Sequence, residues 1–393
     1  MQSESFLKKA SDIASFYGFR HARGLSTLVP RDKKFSVADS KNFEKVAQAC
    51  VDCLSVRPIE TTPPTPVYPK DAMLFYHVNP QPAMPYMRVP STSPTLARDL
   101  AEFSVEIVGS AGSIGEIVSL KTIFAILNDA NIGVRGVRIG SAGDKDSQAR
   151  FARELSLYVK KRHADLGECC RERAHHDPFM LFTCTHEGCG GVLSEGPRAM
   201  NYLSEKSRTH FKEVLEYLER AGIGYELDER LVYDEHMPRV LFSVDLENSD
   251  GLVVAATGGR YDDHLRRITG KKDVTAVRAS IFFRRNGASR SALSMDPKER
   301  RAKIYFVKLG IEAALKSLTV LDGLRKARIP VYQSFSSDRL APQLTEAERL
   351  KVPYLVIMGQ REALQDAVIV RRVATRSQQI VRIKELPNYL RAV

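Results

Sequence analysis

Apolar residues recur every three to four positions across 4–18 (ESFLKKASDIASFYG), and the run closes on Gly18, which predicts an N-terminal helix. Phe43, Val46, Cys50 and Leu54 share one helical face and predict a second helix around 41–55. The stretch 56–70, VRPIETTPPTPVYPK, holds five prolines and is excluded from helix. Segments 72–78 and 84–89 read as strands on either side of the turn AsnProGlnPro. FSVEIVG at 103–109 is a strand pattern, followed by a helix at 114–130 and the strand VRGVRIG at 134–140. Helices follow at about 145–165 and 204–221, and strands near 239–246 and 252–257 flank AsnSerAspGly.

The polar, charged segment 284–302 (RRNGASRSALSMDPKERRA) interrupts this order and marks the best domain boundary. Beyond it the pattern is regular. KIYFVKL, IPVYQS and PYLVIMG read as strands separated by helices at 311–328 and 338–350, and VIVRRV and QQIVRIKEL add two strands before a short last helix. Strands alternating with helices imply a small α/β domain with a largely parallel sheet. There is no internal repeat.

Composition adds the class. At 393 residues, 43% apolar and 27% charged, the chain reads as a globular protein of at least two domains. It has no uncharged apolar run of about 18 residues and no secretory pattern at its start, so no membrane partner and a cytoplasmic location are expected. The net charge of +12 lies wholly in one part: residues 284–393 hold 22 Lys and Arg against 10 Asp and Glu, whereas the first 283 hold 37 of each sign. A basic unit on a neutral body points to a polyanion, most often nucleic acid, with a merely solubilising surface as the alternative.

Cys169, Cys170, Cys184 and Cys189, with His175, His176 and His186 among them, are permissive for zinc. No Cys-x2-Cys knuckle occurs among them, and the preferred reading leaves Cys170, Cys184 and Cys189 without metal. Cys50 and Cys53 read as core rather than as a redox pair, and His236 and His264 have no partner in the sequence.

At these positions the sequence resembles histidyl-tRNA synthetase, a class II aminoacyl-tRNA synthetase, over nearly the whole chain and in that family's order. FYGFR at 16–20 resembles the end of the family's first helix, EIVG at 106–109 the strand after its second class II motif, and IGSAGD at 139–144 the start of its inserted helical region. Cys170, Arg173, Pro178 and Cys184 keep its register there, and residues 205–232 resemble the lead into its first histidine-specific signature. GlyGlyArgTyrAsp at 258–262 is similar to the second signature, the most specific single match, and the C-terminal run from Pro353, including Gln379, resembles its anticodon-binding domain. The resemblance implies an α+β fold: a class II synthetase-like domain over 1–285 with a six- or seven-stranded antiparallel sheet and a helical insertion at about 145–225. A linker at 286–302 and an anticodon-binding-like α/β domain at 303–393 complete it.

The departures bear on chemistry. Amino-acid activation needs preorganised positive charge at the phosphates of ATP. The family's second motif supplies an Arg followed by Glu; here ArgAspLeuAla (98–101) runs straight into GluPheSerVal (102–105), about 25 residues short, the length of a loop with its flanking strands. The first histidine signature is replaced by Tyr233, Asp234, Glu235, His236, Met237 and Pro238, and the family's Pro-Glu-Gly-Thr by ValProSerThr ending at Thr92. The third motif reads AVRASIFFRR, with Arg285 at the ATP-stacking position, and the first motif lacks its proline, which weakens an expected homodimer.

The resemblance therefore leaves a vestigial ligand pocket of Thr92, Glu106, Gly258, Gly259, Arg260, Tyr261 and Arg285, in which Glu106 resembles the family's imidazole-binding Glu. The preferred reading is structural, with the glycine pair bending a strand and Arg260 pairing with Asp262 in the interior. No catalytic residue and no cofactor is expected. Arg371, Arg372, Arg376, Arg382 and Lys384 on or beside adjacent strands are the candidate RNA-binding set, with Tyr354 or Phe335 behind them. The expected function is binding of tRNA or a related structured RNA without aminoacylation. Two alternatives stand beside it: a regulatory or scaffolding subunit of a partner enzyme, as in the ATP-phosphoribosyltransferase regulatory subunit, and a divergent histidine–tRNA ligase, which would need ATP and Mg.

Overall fold

The structure, a computed structural model, describes residues 3–21, 73–79, 99–110, 112–176, 178–184, 187–229, 231, 239–247, 252–263, 266, 275–286, 302–333, 335 and 339–392. The helix expected at 41–55, the proline-rich stretch, the strand at 84–89, Thr92, His236 and His264 lie outside these residues.

Helix α1 (Ser3–Phe16) buries the stripe Phe6, Leu7, Ala10, Ile13 and Ala14, the spacing its sequence announces. Strands β1 (Arg20–His21), β2 (Met73–Asn79) and β3 (Leu100–Val108) lead into helix α2 (Ile114–Asp129) and strand β4 (Gly133–Ser141). Helices α3 (Lys145–Lys161), α4 (Glu168–His176) and α5 (Glu187–Ser194) follow, then α6 (Glu205–Arg220), β5 (Tyr225–Leu227), β6 (Val240–Glu247), β7 (Val253–Arg260) and β8 (Ala276–Arg284). The strands form one eight-stranded sheet in the order β1-β2-β3-β8-β7-β6-β4-β5. Its six inner strands are antiparallel throughout, and the two short edge strands pair parallel. These edges, of two and three residues, are too short to carry an alternation signal, which is why the sequence suggests fewer strands.

One face of the sheet is covered by α1, α2 and α6, with Phe6 against Phe283 at 5.1 Å between ring centroids. Helix α2 is apolar on nearly every side (Ile117, Val118, Leu120, Ile123, Ile126 and Leu127), so it is buried rather than amphipathic. Helices α3 to α5 and the 3-10 turns at 163–165, 178–183 and 199–202 build a separate small core around Phe151, Leu155, Val159, Phe179 and Leu181. Asp144 fastens the two ends of this insertion. It caps α3 by accepting from the Ser147 backbone N at 3.1 Å and accepts from Ser204 Oγ, at the start of α6, at 2.6 Å. Burial would raise the Asp144 carboxyl, and the serine hydrogen bonds outweigh it and hold it at about 2. Helix α6 itself returns to the main core through Phe211, Val214, Tyr217 and Leu218.

The C-terminal unit runs β9 (Ile304–Lys308), α7 (Ile311–Lys326), β10 (Tyr332–Gln333), α8 (Leu340–Arg349), β11 (Tyr354–Met358), α9 (Gln360–Leu364), β12 (Ala367–Arg372), β13 (Gln378–Arg382) and α10 (Leu386–Ala392). Its sheet order is β10-β9-β11-β12-β13, parallel across the first three strands and antiparallel across the last three. The largely parallel sheet read from the sequence is corrected to a mixed one. A parallel crossover needs a dozen or more residues, and the links into β12 and β13 are too short for one.

The two units share one continuous core. Arg325 on α7 bonds Asp129 at the end of α2 at 3.2 Å, and Tyr17 donates to Asp322 at 3.4 Å. Among the described residues no helix is long and apolar enough to cross a membrane.

Candidate functional site

Strand β3 alternates: Phe103, Val105 and Ile107 enter the core beneath the helices, which places Glu102, Ser104 and Glu106 on the opposite face. Register extends that face across the sheet. His77, Ser104, Ser280, Thr257 and Ser243 form one transverse row over five strands, and the neighbouring row sets Glu106 opposite Arg278 and Arg278 opposite Gly259. The outer face of an antiparallel sheet is commonly solvated. Here Glu102 is 3% exposed and Ser104, Ser243, Thr257 and Ser280 are buried with it.

Arg278 organises this polar face. Its Nη2 donates to Glu102 Oε1 at 2.6 Å and its Nε lies 3.5 Å from Glu106, while His77 Nδ1 stands 3.8 Å from the same carboxylate. Ser104 and Ser280 also donate to Glu102, at 2.8 and 2.6 Å. Burial would raise the Glu102 carboxyl, and Arg278, His77 and the two hydroxyls pull it below its usual value instead. For His77 burial wins over Glu106 and lowers the imidazole. Two carboxylates able to receive an amine or an imidazole are thus already engaged by an internal guanidinium.

The core face carries a second network. Arg260, 1% exposed, donates through Nε and Nη2 to the two oxygens of Glu116 at 2.7 and 2.8 Å, and to the carbonyls of Ser110 and Gly112 at 3.1 and 2.8 Å. Asp262 is 3.5 Å from Arg260 and accepts from the Ala276 backbone N at 3.0 Å. His210 on α6 reaches Glu116 at 3.1 Å and Ser113 at 3.1 Å, and Ser113 donates to Glu213 at 2.6 Å. Burial would push Glu116 up, and Arg260 outweighs it and holds it at about 2. Such a pair is costly to bury and very costly to break. It ties β7, the start of α2 and α6 together.

The residues of the expected vestigial pocket are therefore divided. Glu106, Gly259 and Tyr261 lie toward Arg278, and Arg260 is on the core side. Gly258 also faces inward, and a Cβ there would stand 2.3 Å from the Arg278 carbonyl and 2.4 Å from the Phe242 ring. The register runs unshifted through 256–260, so this glycine admits a neighbouring ring rather than bending the strand. Arg285 lies past the far end of β8, where its backbone N donates to Asp99 and its carbonyl accepts from Ser3. Sequence reasoning missed Glu102, Glu116, His77, His210 and Arg278. The alternation Glu102-Ser104-Glu106 carried a signal for the polar face; the others are joined only by folding.

In the C-terminal unit Arg371 and Arg382 share the face of Ile369 and Ile380, and Ile380 is 69% exposed. Arg372 is on the opposite face, paired across strands with Tyr354. Arg376 occupies the β12–β13 turn at φ 54°, and Lys384 follows β13. Phe335 instead lies under the buried Lys308, whose ammonium is 3.3 Å from the ring centroid. In the insertion, Cys170, Cys184 and Cys189 are all buried, with their sulfurs within 4.8 Å of one another.

Residues 303–393 match the anticodon binding domain family. More particularly, the chain is similar in sequence to histidine–tRNA ligases. It is 26% identical over 300 residues to the histidine–tRNA ligase of Bacillus subtilis, covering 75% of this chain and 70% of that one. The crystal structure of apo histidyl-tRNA synthetase from S. aureus aligns over 96% of this chain and 92% of that one, at 20% identity and a TM-score of 0.42. An ATP phosphoribosyltransferase regulatory subunit/histidyl-tRNA synthetase from Bacillus halodurans aligns over 91% and 94%, at 13% identity and a TM-score of 0.38.

Proposed function

We propose that this protein binds tRNA, or a structured RNA like it, through the β12–β13 end of its C-terminal unit and does not aminoacylate it. The observation that carries this reading is the set Arg371, Arg372, Arg376, Arg382 and Lys384. All five surround one hairpin of the unit that matches the anticodon binding domain, and among the described residues none of them is in an ion pair within 4.0 Å. Unneutralised guanidinium and ammonium groups beside an exposed apolar side chain suit a phosphate backbone with splayed bases.

The body supports the non-catalytic part. The carboxylates on its polar face are held by Arg278, and the sequence departs from the resembling family at the second class II motif and the first histidine signature, each of which carries an arginine there. Titration of tRNA with the full chain at rising salt tests the binding. Tight, salt-sensitive binding that the triple variant R371A/R372A/R376A weakens is the expected result, and equal affinity for tRNA and a neutral polymer would overturn it. Histidine-dependent ATP–pyrophosphate exchange is expected to be absent, and its presence would restore the ligase reading.

A further inference from the structure

We propose that Cys170, Cys184 and Cys189 form a structural zinc site that organises the helical insertion. The three sulfurs come from three different segments: Cys170 from the first turn of α4, Cys184 from just after the 3-10 turn at 178–183, and Cys189 from the first turn of α5. They are buried and lie within 4.8 Å of one another, with Cys170 Sγ and Cys184 Sγ 3.3 Å apart. Tetrahedral zinc with Zn–S bonds of about 2.3 Å places its sulfurs about 3.8 Å apart, so one ion fits among them with sub-ångström adjustment. Among the described residues these three are the donors that converge here, and water or a further donor completes the fourth position.

Two features favour the metal over three thiols merely packed in a core. The first is the placement of the sulfurs at helix starts. Cys170 and Cys189 both sit where a helix presents its free N–H groups, and the Gly167 backbone N–H is directed at the Cys189 sulfur. Zinc bound among the three sulfurs offsets their charge, each thiol giving up its proton to solvent as the metal binds.

The second is the weakness of the fold around them. Helices α4 and α5 have nine and eight residues and are joined by a 3-10 turn of six, lengths that are marginal in isolation. A small core of this kind is commonly completed by a metal or a disulfide.

The test uses the full chain, purified without chelator in reducing buffer. Elemental analysis is expected to find about one zinc per chain, with the metal lost in Cys184→Ser and Cys189→Ser. Because a serine variant can also fail to fold, the wild-type chain is loaded with cobalt in place of zinc, and thiolate-to-cobalt charge-transfer bands are expected. Chelation is expected to increase hydrogen exchange in 163–194 ahead of the C-terminal unit. Absence of metal together with no cobalt–thiolate band would overturn the proposal, as would a Cys170–Cys184 disulfide in the reduced preparation or undiminished zinc in the serine variants.

Discussion

At the residue scale the molecule depends on how it satisfies charges it has buried. Arg260 was legible as a candidate from its GlyGlyArgTyrAsp string, but its main partner was not. Glu116 is 144 positions away in a helix that reads as apolar, and no local pattern links the two. The pair fixes a sign for the pH dependence. Glu116 is held at about 2, below its ordinary 4.5, so its stabilisation is complete above about pH 4.5 and is lost as pH falls through 2. The shift corresponds to on the order of 3 kcal/mol, and Glu102, also lowered, adds in the same direction. Glu116→Gln leaves Arg260 buried with reduced compensation and is expected to cost about 3–5 kcal/mol at neutral pH. It should also flatten the loss of stability between pH 4.5 and 2. Urea midpoints of both proteins across that range measure both effects; equal slopes would show that Arg260 is neutralised elsewhere.

At the element scale, legibility follows length. Helices α3, α6 and α7, of 16 or 17 residues, and the nine-residue strands β3 and β4 show their period in the sequence, whereas the two-residue β1 and three-residue β5 do not, and the nine-residue β8 was not read as a strand. Strand direction in the C-terminal unit was not legible from alternation alone, because it depends on whether a connection can cross over. Register also sorts the basic residues. Arg371 and Arg382 share one face of β12–β13 and Arg372 takes the other. If the face of Ile369 and Ile380 receives the RNA, R371A/R382A removes two phosphate contacts and lowers the log–log salt slope by about 1.4–1.8. Arg372→Ala should change it by less than half of that. Fluorescence anisotropy at several salt concentrations distinguishes the two, and a larger effect for Arg372→Ala would assign the RNA to the Tyr354 face.

At the scale of the whole molecule, the charge asymmetry was visible at once in the sequence, but the attachment of the basic unit was not. A polar boundary at 284–302 suggests a tether, yet α7 packs its Leu318, Leu321 and Leu324 into the same core that holds α1 and α2. Arg325 joins the units at their seam by bonding Asp322 on its own helix and Asp129 on α2. A basic unit held this way presents its hairpin at a fixed position relative to the eight-stranded sheet. Arg325→Ala removes both bonds from a side chain that is only 12% exposed and is expected to cost about 1–3 kcal/mol. The expected sign of detachment is increased hydrogen exchange along α7 and the facing end of α2, with β12 and β13 unchanged and RNA affinity within about twofold of wild type, since the phosphate contacts themselves survive. A large loss of affinity in Arg325→Ala, with β12 and β13 still protected, would mean that RNA contacts the body as well. It would move the recognition surface from the hairpin alone to the hairpin and the sheet acting together.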